Sequence, residues 1–360
     1  MPARESRFDL LRLLSMYMIV CGHLVYHGIR QVLTPELEYQ AFGESATGQV
    51  NFVLTQLLGL LCNVGPNVFI MITGYFLIVP RTFRSVWNKG VRLWLTIVFY
   101  GVAIYSVAAL CRHTFDSREL LTQLTPIYST TYWFMTMYMG ILLLSPFLAK
   151  MAQSLSRREY QMLLGVLLVM NFGHEQMGYA FVYGSRQLFF IFIFLIGGYV
   201  RLHQPSGRWL AWTGAAYLLT CVALTGIFAV SQMVFHTTPY LHIKGLANNS
   251  APLFTSVCLF LWFSSLPNPT SRVAHWAVRT SPYILSVYLI HEHSEVRTLL
   301  WDRLIRPTEY LHDWYFLFYA LGACAVVMAV CIAVDMLRKR VSSLIPPRAP
   351  HPNADAVGQR

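Results

Sequence analysis

Long apolar stretches separated by short polar connections run along almost the whole chain. A helix needs about 20 apolar residues to cross the hydrocarbon core of a bilayer. The pattern predicts such helices near residues 8–28, 51–79, 90–111, 132–149, 160–174, 186–203, 209–231, 248–266, 279–296 and 314–337. We therefore predict an all-α integral membrane protein, a bundle of about ten transmembrane helices. Residues 1–340 are expected to form the membrane domain and residues 341–360 a Pro-rich, disordered cytoplasmic tail.

Composition and charge agree with this pattern. Of the 360 residues, 56% are hydrophobic and 12% are charged, and the mean hydropathy is +0.48; soluble domains carry about 25% charged residues. If the N-terminus is inside, the inner segments hold 19 of the 27 basic residues and the outer segments hold 11 of the 16 acidic ones. The positive-inside rule then places both termini in the cytoplasm. The net charge of +11 indicates membrane topology and contact with anionic lipid, not nucleic-acid binding.

Two ionisable residues interrupt the first apolar segment. Arg12 and His23 are eleven positions apart, which is about 20° around an α-helix and about 16 Å along its axis. Ionisable side chains inside a membrane helix are costly, so both are candidates for function. One helix face thus carries a permanent cation towards one membrane surface and a titratable base towards the other. This suits a site that binds an anion on one side and transfers a proton on the other.

A basic pair follows the second apolar segment. Arg81 and Arg84 are explained either as positive-inside anchors or as a phosphate clamp, because guanidinium groups bind phosphate with two parallel hydrogen bonds. His23 also has two explanations, since a histidine near a helix end, as His27 is, can be an interfacial residue without a chemical role. Its place on one stripe with Arg12 favours a function for His23.

Polar residues occur in two other apolar segments. Asn67 and Thr73 lie beside a Gly-Pro break, which is typical either of a bent, closely packed helix or of a polar cavity wall. Tyr288, His291 and Glu292 lie at the predicted outer end of the ninth segment. They are explained as interfacial residues, as a carboxylate that orients a catalytic imidazole, or as zinc ligands. No ligand set with zinc-like spacing is visible, and the seven cysteines lie in apolar stretches without a C-x-x-C motif, so neither a metal site nor a disulfide is predicted.

Four short motifs follow one another along residues 7–340. They are Phe8-Asp-Leu-Leu-Arg12 running to His23, Asn67 to Leu77, Tyr132 to Tyr138 with Leu144 to Phe147, and Tyr288-Leu-Ile-His291-Glu292. Their order and content resemble the membrane acyltransferase-3 family, whose first helix carries an Arg-x10-His motif. The resemblance is closest to the bacterial branch that acetylates cell-surface or capsular polysaccharides.

The resemblance implies ten core helices in the bacterial inner (plasma) membrane. It implies transfer of an acyl group, acetyl in this branch, from cytoplasmic acyl-CoA to a carbohydrate hydroxyl outside. Arg12, Arg81 and Arg84 would bind the CoA phosphates, and His23 would be catalytic, either as base on the acceptor hydroxyl or as carrier of the acyl group. From its position, Glu292 is the candidate for orienting His23. Further candidates for lining the site are Asn67, Thr73, Tyr288 and His291.

The expected partners are therefore acyl-CoA as donor substrate, a carbohydrate acceptor and the lipid bilayer, with no tightly bound cofactor. Two departures from the family pattern are present: residues 81–84 hold only two arginines, and no fused hydrolase-like domain is recognised. All chemistry is accordingly expected among the helices.

Two other functions suit a basic, many-helix membrane protein. A transporter or flippase for a polysaccharide precursor usually shows internal repeats, and none is visible. A glycan polymerase is expected to carry its key residues on large outer loops, whereas the outer loops here are short. The acyltransferase is the favoured function, and no oligomeric state is predicted.

Overall fold

The protein is helical throughout the part of the chain that the computed structural model describes, residues 4–33, 37–127, 129, 132–172, 185–237 and 250–344. The α-helices are α1 Ser6–His23, α2 Ala46–Cys62, α3 Gly65–Leu77, α4 Phe83–Arg112, α5 Ser117–Leu124, α6 Trp133–Ser154, α7 Arg157–Phe172, α8 Ser185–His203, α9 Trp209–Met233, α10 Ser250–Ser265, α11 Arg272–Thr280, α12 Ile284–His291, α13 Ser294–Thr298 and α14 Phe316–Leu344. Two π-helical segments, Leu24–Arg30 and Leu299–Ile305, and 3-10 turns at Glu38–Phe42, Ser281–Tyr283 and Pro307–Tyr310 complete the order.

The Gly-Pro break divides one apolar segment into two helices. α2 ends at Cys62 and α3 begins at Gly65, with Pro66 in its first turn. Proline is tolerated there because the first-turn N–H groups have no intrahelical acceptor. The segment predicted as a single span over residues 51–79 is therefore a pair of helices joined at Asn63 and Val64.

The first helix is the centre of the bundle. α1 packs against α2, α3, α10, α11, α12 and α14, so its polar residues have protein neighbours. The peripheral helices instead expose apolar side chains such as Trp94, Leu219 and Val326. Exposed apolar surface of this kind is expected where helices face lipid tails.

Six helical segments of the described residues are long and apolar enough to cross a membrane: Ser6–Arg30, Ala46–Leu77, Phe83–Arg112, Trp133–Ser154, Trp209–Met233 and Phe316–Ser343. Two shorter apolar helices, Gln187–His203 and Ala251–Ser265, accompany them. The all-helical, multi-pass membrane fold is thus confirmed, whereas the predicted number of about ten spans is not confirmed by these six candidates. Parts of two predicted spans, residues 173–174 and 248–249, and the predicted tail from residue 345 onward lie outside the described residues; residues 341–344 belong to α14.

The predicted ninth span, residues 279–296, is wrong as a continuous helix. Pro282 lies in a 3-10 turn before α12, and the chain turns again at Glu292 before α13 begins. The eight residues of α12 rise about 12 Å, which is too short to cross a hydrocarbon core of about 30 Å. The motif residues of this segment therefore lie at the C-terminal end of a short helix packed against α1.

Two glycines allow α3 and α8 to approach closely. A Cβ atom on Gly74 would lie 2.0 Å from the Phe194 carbonyl oxygen, and one on Gly197 would lie 2.0 Å from the Met71 carbonyl oxygen. Because both obstacles are backbone atoms, no side-chain rotation relieves the overlap. The hydrogen side chain of glycine is thus required at both positions.

We expect Gly74→Ala to lower the yield of folded protein in detergent and its thermal midpoint. The added methyl group forces two packed helices apart, and overpacking of this kind costs at least about 1–3 kcal/mol. Gly226→Ala is the matched control, because nothing lies within 4 Å of a Cβ atom there. Equal thermal midpoints for the two variants would contradict the close approach.

Candidate active site

The predicted stripe on the first helix is present. α1 is α-helical from Ser6 to His23, so Arg12 and His23 lie on nearly one face and about 16 Å apart along the axis. Immediately after His23 the helix widens into the π-helical segment Leu24–Arg30. π-Helical segments are rare in proteins, and those that occur are often found at functional sites. The two ends of this stripe have very different surroundings.

Around His23, the C-terminal end of α12 supplies an imidazole and a carboxylate. His23 Nδ1 lies 2.9 Å from His291 Nε2 and 3.0 Å from Glu292 Oε2. His291 is fully buried, and the side chains of His23 and Glu292 are 20% and 8% exposed. The structure therefore brings His23, His291 and Glu292 together.

Hydrogen bonding defines the protonation of these rings. His291 Nδ1 bonds the Val287 carbonyl oxygen, which can only accept, so Nδ1 carries the hydrogen and Nε2 of the neutral ring offers a lone pair. His23 Nδ1 faces that lone pair and a carboxylate oxygen, so it carries a proton. In the neutral ring with its hydrogen on Nδ1, His23 Nε2 has a lone pair, the state that a general base requires.

The carboxylate has further partners on the same side. Glu292 Oε1 lies 3.4 Å from His27 Nε2 and 3.4 Å from Arg297 Nη1. His27 was considered interfacial on sequence grounds, yet its side chain is only 9% exposed and it shares Glu292 with His23. The Glu292 carboxylate therefore lies between two histidines and an arginine, and the arginine places a positive charge close to it.

The other residues predicted to line the site, Tyr288, Asn67 and Thr73, differ in their hydrogen-bond partners. The Tyr288 ring lies 6.3 Å from the His23 ring, and its buried hydroxyl makes no hydrogen bond of normal geometry among the described residues. Asn67 Nδ2 instead donates to Ser256 Oγ at 3.2 Å, and the Thr73 hydroxyl donates to the Phe69 carbonyl of its own helix. Of the three, only Tyr288 has contacts that connect it to His23.

At the other end of the stripe, Arg12 lines a cavity of about 500 Å³. The cavity is lined by Arg4, Glu5, Asp9, Arg12, Tyr75, Phe76, Val79, Arg81, Arg201, Ser281 and Pro282. These residues come from α1 and the two residues before it, from both sides of the α3 C-terminus, from α8 and from the turn before α12. Four guanidinium groups and two carboxylates leave the lining with two net positive charges, which suits an anionic ligand.

The two carboxylates hold the arginines in place. Asp9 lies 2.7 Å from Arg4 Nε and 3.1 Å from Arg12 Nη1, and its side chain is only 4% exposed. The hydrogen bond to Asp9 raises the pKa of the Arg4 guanidinium. Glu5 lies 3.0 Å from Arg201 Nη1. Since each guanidinium has five N–H donors, these contacts leave donors for a ligand.

Aromatic side chains support two of these arginines. The Arg12 guanidinium lies 5.0 Å from the centroid of the Phe76 ring, and the Arg201 guanidinium lies 5.0 Å from that of Tyr75, whose hydroxyl it also bonds at 3.1 Å. Cation–π contacts of this kind orient a guanidinium without using its hydrogen-bond donors.

Sequence reasoning located part of this cavity. Arg81 joins Arg12 in the lining, whereas Arg84 is exposed and does not line the cavity. Asp9 was missed, although its position three residues before Arg12 is the spacing of a helical ion pair. Arg201 had no local signal, because its place in the cavity depends on how α8 packs against α3.

Comparison with known protein families identifies the family of this chain. The family model of the acyltransferase-3 family, described as an acyltransferase domain, matches residues 5–336. The match covers nearly the whole chain, so this protein belongs to that family and is an acyltransferase. No curated protein and no solved structure matches the chain.

Proposed function

We propose that this membrane acyltransferase transfers an acyl group, acetyl in the first instance, from cytoplasmic acyl-CoA to a hydroxyl of a cell-surface polysaccharide or its lipid-linked precursor. The observation that carries the proposal is the division of one buried helix between an arginine cavity at Arg12 and a histidine–carboxylate cluster at His23. A bacterial plasma membrane is the matching location. Membership of the family favours this function over the transporter and the polymerase.

The donor head group is assigned to the arginine cavity. CoA carries a phosphorylated ribose and a pyrophosphate, and Arg4, Arg12, Arg81 and Arg201 supply the cations for them. A cavity of about 500 Å³ is in the usual range for ligand sites, roughly 300–1,000 Å³. From there the flexible arm of CoA extends along α1 and places the thioester near His23, about 16 Å away.

His23 Nε2 is assigned as the base. It accepts the proton of the acceptor hydroxyl while that oxygen attacks the thioester carbonyl carbon. The tetrahedral intermediate collapses with cleavage of the carbon–sulfur bond, and the proton on His23 passes to the departing CoA thiolate. Glu292, 3.0 Å from His23 Nδ1, stabilises the imidazolium that exists between these steps. The buried hydroxyl of Tyr288, which donates to no acceptor with normal geometry among the described residues, is the donor assigned to the oxyanion.

Carriage of the acyl group by His23 is the second course open to the same residues. In that course His23 Nε2 attacks the thioester itself, and the acyl group passes from imidazole to hydroxyl in a second step. The two differ in a measurable way. Acyl-CoA labelled in the acyl group, added without acceptor, labels the protein only if His23 is a carrier.

The function itself is tested with membranes that contain the protein and a glycan acceptor. Labelled acyl-CoA should transfer its label to glycan with wild-type protein and not with membranes lacking it. A protein that moves unmodified glycan across the membrane, with no label on the glycan, would overturn the proposal.

We expect Arg12→Ala to weaken acyl-CoA binding by about 10–100-fold, since it removes a charge-assisted hydrogen bond worth roughly 1.5–3 kcal/mol. Arg12→Lys should retain part of the affinity, because lysine keeps the charge but lacks the two parallel N–H donors of a guanidinium group. Arg84→Ala is the matched control, as an exposed arginine outside the cavity. Unchanged affinity in Arg12→Ala, measured by equilibrium binding in detergent, would return Arg12 to a topological role.

The orientation is expected to place both termini in the cytoplasm, because the segments then lying inside hold 19 of the 27 basic residues. Reporter domains fused after residue 45 and after residue 344 should report outside and inside, respectively. A reporter at residue 344 that reads outside would require an odd number of spans and would reject this orientation.

A further inference from the structure

The cluster around His23 has the composition and spacing of a zinc site. One ligand atom each from His23, His291 and Glu292 lies within 4.8 Å of the other two. We infer that this cluster binds Zn²⁺, or a similar first-row divalent ion, and that occupation of the site stops acyl transfer. The regulatory half of this inference rests on the proposed function, whereas the binding half does not.

The distances suit a tetrahedral ion. Zinc bonds to imidazole nitrogen and carboxylate oxygen measure about 2.0–2.2 Å, so neighbouring ligand atoms lie about 3.3–3.6 Å apart around a tetrahedral ion. His23 Nδ1 lies 2.9 Å from His291 Nε2 and 3.0 Å from Glu292 Oε2. Small side-chain movements therefore open the cluster enough to admit the ion. Two histidines and one glutamate, with a fourth position for water, form a ligand set that zinc is known to accept.

One buried oxygen atom of the cluster lacks a well-formed hydrogen bond. Glu292 Oε2 is buried and lies 3.0 Å from His23 Nδ1, but this contact does not have the geometry of a normal hydrogen bond. A buried carboxylate oxygen without a hydrogen bond is costly. An ion bound between it and the two imidazoles would satisfy this atom.

The surrounding contacts are those that orient metal ligands. His291 donates its other ring N–H to the Val287 carbonyl, which directs the Nε2 lone pair into the cluster. Glu292 Oε1 is held by His27 and Arg297, which directs Oε2 towards the same point. Contacts of this kind fix the tautomer and the orientation of metal-bound side chains. The side chain of His23 is 20% exposed, so the cluster is accessible to an ion.

Metal binding and base catalysis exclude each other at His23. A neutral imidazole has one lone pair and one N–H. If Nδ1 binds zinc, the proton on Nδ1 moves to Nε2, and Nε2 can no longer accept a proton from the hydroxyl. The acyltransferase is therefore active without the ion and inactive with it.

Two measurements on tag-free, chelator-treated protein in detergent test this. Equilibrium dialysis against ZnCl2 should give one bound zinc per wild-type chain, and His291→Ala and Glu292→Gln should each weaken that binding by at least about tenfold, as loss of a ligand or its support does. His275→Ala and Glu295→Gln are matched controls elsewhere on the chain and should bind as wild type. Mg²⁺, which prefers oxygen ligands, should not compete.

Acyl transfer by the wild type should fall as zinc fills the site and return when chelator is added. No difference in zinc binding between the wild type and both ligand variants would overturn the site, and would leave His23 as a base. Ligand-dependent binding with unchanged activity would overturn the inhibition and the role of His23 together. If chelator-treated protein regains activity only when zinc is added, the ion is catalytic, and both the inhibition by zinc and the role of His23 as base are overturned.

Discussion

Replacing His23 with alanine should abolish acyl transfer while the protein still inserts and folds. The substitution removes the Nε2 lone pair assigned to accept the proton of the hydroxyl, and general-base catalysis contributes about 10²–10⁴-fold to the rate. Labelled acyl-CoA and glycan acceptor, supplied to membranes with matched amounts of protein, give the measurement. Affinity for acyl-CoA should remain near that of wild type, because the arginine cavity lies about 16 Å away.

His275→Ala is the matched control for that experiment. His275 is an exposed histidine on α11 whose ring bonds the carbonyl of Ser271, the N-cap residue of that helix. It should keep wild-type transfer. Wild-type levels of acylated glycan in His23→Ala would remove His23 from the mechanism, either as base or as carrier.

Glu292→Gln should reduce the turnover number strongly, by roughly 10²–10⁴-fold, with little change in KM for acyl-CoA. Glutamine has nearly the same shape as glutamate but no charge, so the imidazolium formed during transfer loses its counter-ion. The change also leaves Arg297 and His27 without their shared carboxylate. Steady-state kinetics with varied acyl-CoA separate the turnover number from KM.

Glu295→Gln provides the comparison, since Glu295 is three residues further on and pairs with Arg112 at 2.9 Å. This partly exposed ion pair is worth little to stability, and it does not contact His23. Glu292→Asp should recover part of the lost turnover, because it restores the charge at a slightly greater distance. Equal kinetics in Glu292→Gln and Glu295→Gln would make Glu292 a structural residue.

Helical periodicity made the first helix predictable. The relation between Arg12 and His23 depends only on the residues between them, and a regular α-helix fixes both angle and rise. The pairing of Asp9 with Arg12 follows from the same local rule. Both features survive in the structure because no proline or π-helical turn falls between Ser6 and His23.

Features that depend on packing between distant segments were not predictable in this way. The apolar run around Tyr288 has the length of a span, yet Pro282 and the turn at Glu292 reduce its α-helical part to eight residues. Arg201 lies on α8 and lines the cavity beside residues of α3, an arrangement that depends on how closely α8 packs against α3; Gly74 and Gly197 permit that approach.

Asn67 and Thr73 show a related effect. Both had the appearance of cavity-lining residues, but each hydrogen-bonds the nearest available oxygen atom. A polar side chain in apolar surroundings takes such a partner because an unpaired group is costly there.

The shortness of α12 has an electrostatic consequence for His23. Peptide dipoles align along a helix and place roughly half a negative charge at its C-terminal end. α12 ends at His291, and its last residues surround the His23 ring. A cation near such a helix end is stabilised by about 0.3–1 kcal/mol at a surface, and by up to about 2 kcal/mol where it is partly buried. A helix that continued across the membrane would carry this negative end elsewhere, whereas the termination of α12 at His291 places it beside the His23 ring.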